Sequence, residues 1–191
     1  MPGIRNSWQS TISHIFCPST TAPPRCCRSV KTGVEDPNAG DASPRQSLLE
    51  MTYLCIPASD LPSQDLTQHF KDSIAFIHES RLKREGCLVH CLAGVSRSVT
   101  LVVAYIMTVT GLGWQDTLSA VRVARPCAGP NAGFLRQLED FESSQLADYR
   151  AWLKGKYKES PFNDMEEVQI LLSEKLKANG ADVAQPGLRT T

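Results

Sequence analysis

The stretch Val89-His90-Cys91-Leu92-Ala93-Gly94-Val95-Ser96-Arg97-Ser98 constrains this chain more than any other. An apolar run, Cys87 to Val89, feeds one cysteine, a short loop and an arginine, and a strongly apolar segment from Val99 to Val109 follows at once. Those neighbours predict a strand, a tight loop and a helix N-terminus in that order. The loop N–H groups and the positive end of the helix dipole then converge on one point, which makes an anion cradle. A cysteine facing that point, with a guanidinium close behind it in sequence, is expected to be a thiolate near neutral pH. The pattern points to a nucleophile aimed at a phosphate.

Each part of the loop answers a chemical need. Cleaving a phosphate ester through a covalent intermediate requires an ionised nucleophile, which is the role expected of Cys91. Arg97 offers a planar fork of donors that matches two phosphate oxygens, which lysine cannot do. Leu92, Ala93, Gly94, Val95 and Ser96 are expected to turn their N–H groups toward the phosphate, and Gly94 permits backbone conformations closed to other residues. Ser98, at the helix start, can donate to the Cys91 sulfur and stabilise the thiolate as it departs. His90 reads as an orienting residue beneath the loop rather than a base. Cysteine is often a small buried hydrophobe, but the whole string in its strand-to-helix setting is far more specific than a His-Cys pair. Zinc binding by Cys87, His90 and Cys91 lacks a second ligand pair at the usual spacing, so neither metal nor cofactor is expected.

A leaving phenoxide or alkoxide needs a proton. Asp60 is favoured as its source, because it lies in the loop Ala58 to Ser63, between Pro57 and Pro62, after a strand expected beside the central one. Asp65 is the rival, although helix capping accounts for it.

Around these residues the pattern predicts an α/β fold with a mostly parallel central sheet and helices on both faces. Thr52 to Ile56 reads as a strand stopped by Pro57. A helix is expected from near Asp65, with Asp65 and Gln68 as a capping box and a stripe of Leu66, Phe70, Ile74 and Ile77 running on to Leu82. Cys87 to Val89 is then the central strand, joined to the first by a right-handed crossover. The next helix is apolar on nearly every face, as the middle helix of a covered sheet would be, and Gly111 and Gly113 end it. Trp114 to Ala124 forms another, with Trp114, Leu118 and Val121 on one side and Pro126 as the stop. Pro130-Asn131 opens a further helical region carrying Phe134, Leu138, Phe141, Tyr149 and Leu153. Past Pro161, Asp164 with Glu167 is expected to cap a last helix bearing Met165, Val168, Leu172 and Leu176, with a loose tail from Asn179.

The chain of 191 residues suits one domain with tails, and its 20 basic and 20 acidic side chains give no reason to expect nucleic-acid binding. Seven cysteines without regular spacing, no glycosylation sequon and no apolar signal core lead to the expectation of a reducing compartment, the cytoplasm and also the nucleus. Val99 to Leu112 is too short for a membrane span. Residues 1–41 are rich in Ser, Thr and Pro, have no acidic residue before Glu35, and read as a disordered segment in preference to a transit peptide. The expected division is 1–41, a catalytic domain at 42–160, and a C-terminal helix and tail at 161–191. Cys55, Cys87 and Cys127 are candidates to pair with an oxidised Cys91, with Cys127 the freest.

The chain resembles the protein tyrosine phosphatase superfamily, in its small atypical dual-specificity branch. The resemblance rests on Tyr53 to Asp60, Leu88 to Thr100, Ala104 to Thr110 and Pro130 to Phe134, which stand in family order, and it runs from about Ala42 to Glu167. It implies the three-layer α/β fold of that superfamily, with Cys91 as nucleophile, Arg97 as phosphate clamp, Asp60 as general acid, Ser98 assisting thiolate departure and Asn131 bracing the loop. It further implies a metal-free phosphatase, monomeric, acting on phosphotyrosine and phosphoserine or phosphothreonine in protein substrates that include kinases of the JNK pathway. Two departures stand out. Members of this branch begin Met-Gly-Asn-Gly, whereas Pro2 stands here, so no myristoyl anchor is expected. The first strands are also not recognisable, unless Thr11 to Phe16 supplies one and 17–41 is an insertion. A sheet short of one or two strands would leave, as the alternative, an impaired phosphate-binding scaffold or an unstable product.

Overall fold

The computed structural model describes residues 52–158 and 160–181. The segment 1–41, the candidate strand Thr11 to Phe16 and the tail beyond 181 lie outside the described residues. Within them the α-helices are α1 (Phe70–Leu82), α2 (Arg97–Thr110), α3 (Trp114–Ala124), α4 (Ala132–Ser144), α5 (Leu146–Tyr157) and α6 (Asp164–Ala181).

Helix α2 is the axis of the fold. All its residues except Arg97 and Val109 are buried, and it touches each of the other five helices. Its apolar residues drive this, since each fully buried Val, Leu or Ile contributes roughly 1.5–3 kcal/mol. Its threonines fit because each hydroxyl is satisfied within the helix: Thr100 Oγ1 donates to the Ser96 carbonyl at 2.9 Å, Thr108 to Ala104 at 2.8 Å and Thr110 to Ile106 at 2.7 Å. Gly111, at φ 81°, closes the helix. Helix α3 has the expected bounds, with Leu118 and Val121 buried. The spacing that ran from Phe134 to Leu153 is divided at Gln145 into α4 and α5.

Several expectations are corrected. The helix expected near Asp65 opens as a 3-10 turn, Thr67–His69, and becomes α-helical only at Phe70. Asp65 Oδ1 accepts from both Thr67 N (2.8 Å) and Thr67 Oγ1 (2.6 Å), which tightens the first turn. Gln68 returns to the Asp65 carbonyl oxygen, so the reciprocal capping box does not form. Leu66, Phe70, Ile74 and Ile77 are buried, but Leu82 is exposed at the end of the stripe.

Asp164 is the first residue of α6 and has a long-range partner as well. It lies buried against Arg81 of α1, whose guanidinium grips it at 2.7 and 3.2 Å and also donates to the Tyr105 hydroxyl at 2.8 Å. The α6 face turned inward is Asp164, Val168 and Leu171, Met165 is exposed, and the helix continues past Asn179 to Ala181. Thr52 to Ile56 and Cys87 to Val89 carry no ladder among the described residues; Ile56 makes an isolated bridge. Ile56, Cys87 and Val89 belong to the buried core, whereas Thr52, Tyr53 and Cys55 of the first run are exposed. A ladder requires paired neighbours, and apolar runs alone do not specify where those neighbours lie.

Candidate active site

The loop 91–96 lies at the N-terminus of α2, so the first-turn N–H groups of that helix face the loop. Cys91 is 8% exposed, and its Sγ is 3.3 Å from Ser98 Oγ. Burial would push this thiol up. The Ser98 hydroxyl, the backbone N–H groups of Ser98 and Gly94, and the Arg97 charge together outweigh burial and hold it below the ordinary cysteine value. Gly94 adopts φ 63°, the left-handed conformation that lets its N–H turn toward the sulfur.

Asp60 reaches the same place from the other side of the chain. Its Oδ1 accepts from Ser96 Oγ at 2.8 Å and from Asn131 Nδ2 at 2.9 Å, and its Oδ2 is 3.5 Å from Arg97 Nε. Arg97 also donates to the Ala58 carbonyl at 3.0 Å. The structure therefore brings together Cys91, Arg97, Ser98, Ser96, Asp60 and Asn131. Asp65, the rival acid, is occupied in its own turn by Thr67.

Asn131 is the junction. Its Oδ1 caps α4 by accepting from Gly133 N and Phe134 N, its Nδ2 holds Asp60, and its backbone N–H donates to Ser96 Oγ at 3.1 Å. One residue thus ties a helix end, the acid and the loop.

Arg125 was not anticipated from sequence. Its Nε donates to the Gly94 carbonyl at 2.7 Å and its guanidinium reaches the Ala93 carbonyl at 3.4 Å. Holding these oxygens on the outer side of the loop favours inward N–H groups, because the two point opposite ways across each peptide. Gly129 N donates to the Val95 carbonyl at 2.9 Å and completes the outer brace. The signal that could have found Arg125 was weak: an arginine just after α3 looks like ordinary helix-end chemistry.

His90 is half-buried on the segment entering the loop, and Leu92 stands 79% exposed beside the nucleophile. All four described cysteines are free thiols. Cys87 is buried, and burial pushes its thiol up to about 12, so it is a core side chain rather than a reactive one. Cys55 and Cys127 are exposed. No group of three or more His, Cys, Asp or Glu side chains suited to a metal occurs among the described residues. No single helix among them is long and apolar enough to cross a membrane.

Such a site can attack a phosphoryl group, clamp its oxygens and deliver a proton to the leaving oxygen. Comparison with known proteins agrees. A family model described as the dual specificity phosphatase catalytic domain matches residues 35–144. The chain is 64% identical over 136 residues to dual specificity protein phosphatase 22-B of Danio rerio, covering 71% of this chain and 74% of that protein. It is 62% identical over 131 residues to dual specificity protein phosphatase 22 of Homo sapiens, covering 69% and 71% respectively. The crystal structure of DUSP15 superposes with a TM-score of 0.57 at 49% identity, covering 62% of this chain and 76% of the other.

Proposed function

The chain belongs to the dual specificity phosphatase family, hydrolases of phosphorylated tyrosine, serine and threonine on an α/β fold, and on that footing we propose the residues that perform the reaction. The Cys91 thiolate attacks phosphorus in line with the ester oxygen. The S–P bond forms as the P–O bond breaks, and Asp60 gives its proton to the departing oxygen. Water then attacks the phosphocysteine, Asp60 takes the proton of that water, and inorganic phosphate leaves with the Cys91 thiolate restored. Ser98 stabilises the departing sulfur by its 3.3 Å approach. Arg97 and the N–H groups of Leu92 to Ser96 hold the phosphate oxygens, with Arg97 shifting from Asp60 and Ala58 toward the substrate. His90 orients the base of the loop and Asn131 sets loop and acid in register.

The observation that carries this assignment is that Asp60 bonds to Ser96 of the Cys91 loop, 36 residues along the chain, and pairs with Arg97 next to it. Substrates are phosphorylated proteins; the proposal extends to kinases of the JNK pathway, as the sequence resemblance implies, met by a monomer in cytoplasm and nucleus, the compartments that the unpatterned cysteines support. The test compares wild type, Cys91→Ser and Asp60→Ala on phenyl phosphate, whose leaving phenoxide needs a proton, each checked for folding by circular dichroism. Hydrolysis is expected to vanish in Cys91→Ser, and to fall in Asp60→Ala by about 10²-fold or more. Undiminished hydrolysis by folded Cys91→Ser would sink the assignment. A Cys91→Ser trap in extracts, followed by identification of captured phosphoproteins, tests the JNK-pathway extension, and recovery of none of its kinases would remove it.

A further inference from the structure

The loop that carries Asp60 is held from α4 at points far from the carboxylate. Gln137 Nε2 donates to the Gln64 carbonyl at 2.8 Å, and Gln137 Oε1 accepts from Leu66 N at 2.8 Å. A single side-chain amide thus clasps two backbone groups of one loop, across more than seventy residues of sequence. Gln64 passes the restraint on: its N–H donates to the Leu61 carbonyl at 3.0 Å, and its Oε1 accepts from Ser59 N at 3.1 Å. Ser59 and Leu61 are the chain neighbours of Asp60. Gly133 completes the seat, because its backbone lies flat against Pro62 with no room for a Cβ.

Resting on the assignment of Asp60 as proton donor, we infer that Gln137 is a positioning residue that holds the Asp60 loop over the phosphate site, so that acid catalysis depends on it. The proton donor must stand within hydrogen-bond reach of the leaving oxygen, and a shift of about 1 Å in such a group can cost 10²-fold in rate. Arg97 must turn to the substrate and withdraw from Asp60 Oδ2 during turnover, which leaves the carboxylate held through Oδ1 alone. The backbone clasp through Gln64 does not involve any group that binds phosphate, so it persists in the loaded enzyme.

The readout is leaving-group sensitivity. Phenyl phosphate expels a basic phenoxide and needs the acid; p-nitrophenyl phosphate expels a much weaker base and needs it little. Values of kcat/KM would be measured for both esters with wild type, Gln137→Ala, Asp60→Ala and the double variant, beside a melting curve for each. Gln137→Ala is expected to lose about 10- to 100-fold on phenyl phosphate while staying within about threefold of wild type on the nitrophenyl ester. In the Asp60→Ala background the same substitution should change neither ester, because nothing remains to be positioned. Gln137→Glu keeps the acceptor for Leu66 N and loses the donor to Gln64, so it is expected to show a smaller loss of the same kind; it carries the comparison should Gln137→Ala melt below assay temperature. Equal losses on both esters, or equal losses with and without Asp60, would mark a merely structural clasp and overturn the inference. If Asp60→Ala itself shows no leaving-group sensitivity, the parent assignment of the acid fails and the inference falls with it.

Discussion

Gly133 and Pro62 meet backbone to backbone: a Cβ on Gly133 would overlap the Pro62 carbonyl oxygen and stand 2.5 Å from the carbonyl carbon. The contact seats the Asp60 loop on the first turn of α4, two residues beyond the Asn131 cap. The glycine is required here for space, since its φ is not in the left-handed region.

Gly133→Ala is therefore expected to push the Asp60 loop away from the cradle. Overpacking of this kind costs typically about 1–3 kcal/mol. Melting temperature should fall, and kcat/KM on phenyl phosphate should fall further than on p-nitrophenyl phosphate. A variant that melts and turns over like wild type would contradict the contact.

Ser98→Ala removes a donor to the Cys91 sulfur. The thiol is held below its ordinary value, so the thiolate persists to lower pH than in a free cysteine, and activity is lost as pH falls through the lowered value. Without the Ser98 hydroxyl the acid limb of kcat/KM against pH should move upward. Hydrogen bonds to charged groups contribute about 1.5–3 kcal/mol, so breakdown of the phosphocysteine should slow by roughly 10- to 100-fold. Rapid-quench kinetics would show a larger burst followed by a slower steady state.

Much of this site was legible because its chemistry is written in consecutive residues. Cys91, Arg97 and Ser98 sit within eight consecutive residues, on the loop and the first turn of α2, and the apolar runs on either side place that loop between the core and a helix. Helix α3 was legible because Gly113 and Pro126 bracket it. Gln137, Arg125 and Gly133 were not, because each acts on a backbone group that the fold brings from 31 to 73 residues away. The Asp164 pairing was hidden for a related reason: local rules offered a helix-start role, whereas its partner Arg81 stands 83 residues earlier and both side chains are buried.

That pair is a stability test. Arg81 and Asp164 are 7% and 4% exposed, so removing one charge strands the other in the core. Asp164→Ala should destabilise the protein by about 3–5 kcal/mol. Arg81→Met with Asp164→Leu is expected to recover much of the loss. Denaturant titration checks both, and a single variant as stable as wild type would refute the pairing.

His78 lies behind the same cluster, with Nδ1 3.2 Å from the Tyr105 hydroxyl. Burial, then the Arg81 charge, holds it below the ordinary 6.5, against weaker opposing pulls from Asp164 and Glu79. The unfolded chain therefore binds the proton first, and this site costs stability as pH falls through about 6.5 toward the lower folded value. His78→Gln should flatten the stability–pH slope in that window; an unchanged slope would show that His78 does not supply it.

The most direct measurement of the central claim is to catch the phosphoryl group on sulfur. Wild type turning over an aryl phosphate would be quenched in acid within the first turnover and mapped by peptide mass spectrometry. One phosphoryl group on the peptide containing Cys91, appearing with a burst of released phenol and absent from Cys91→Ser, is the predicted result. Hydrolysis that continues in folded Cys91→Ser, with no phosphorylated peptide at any time, would contradict it.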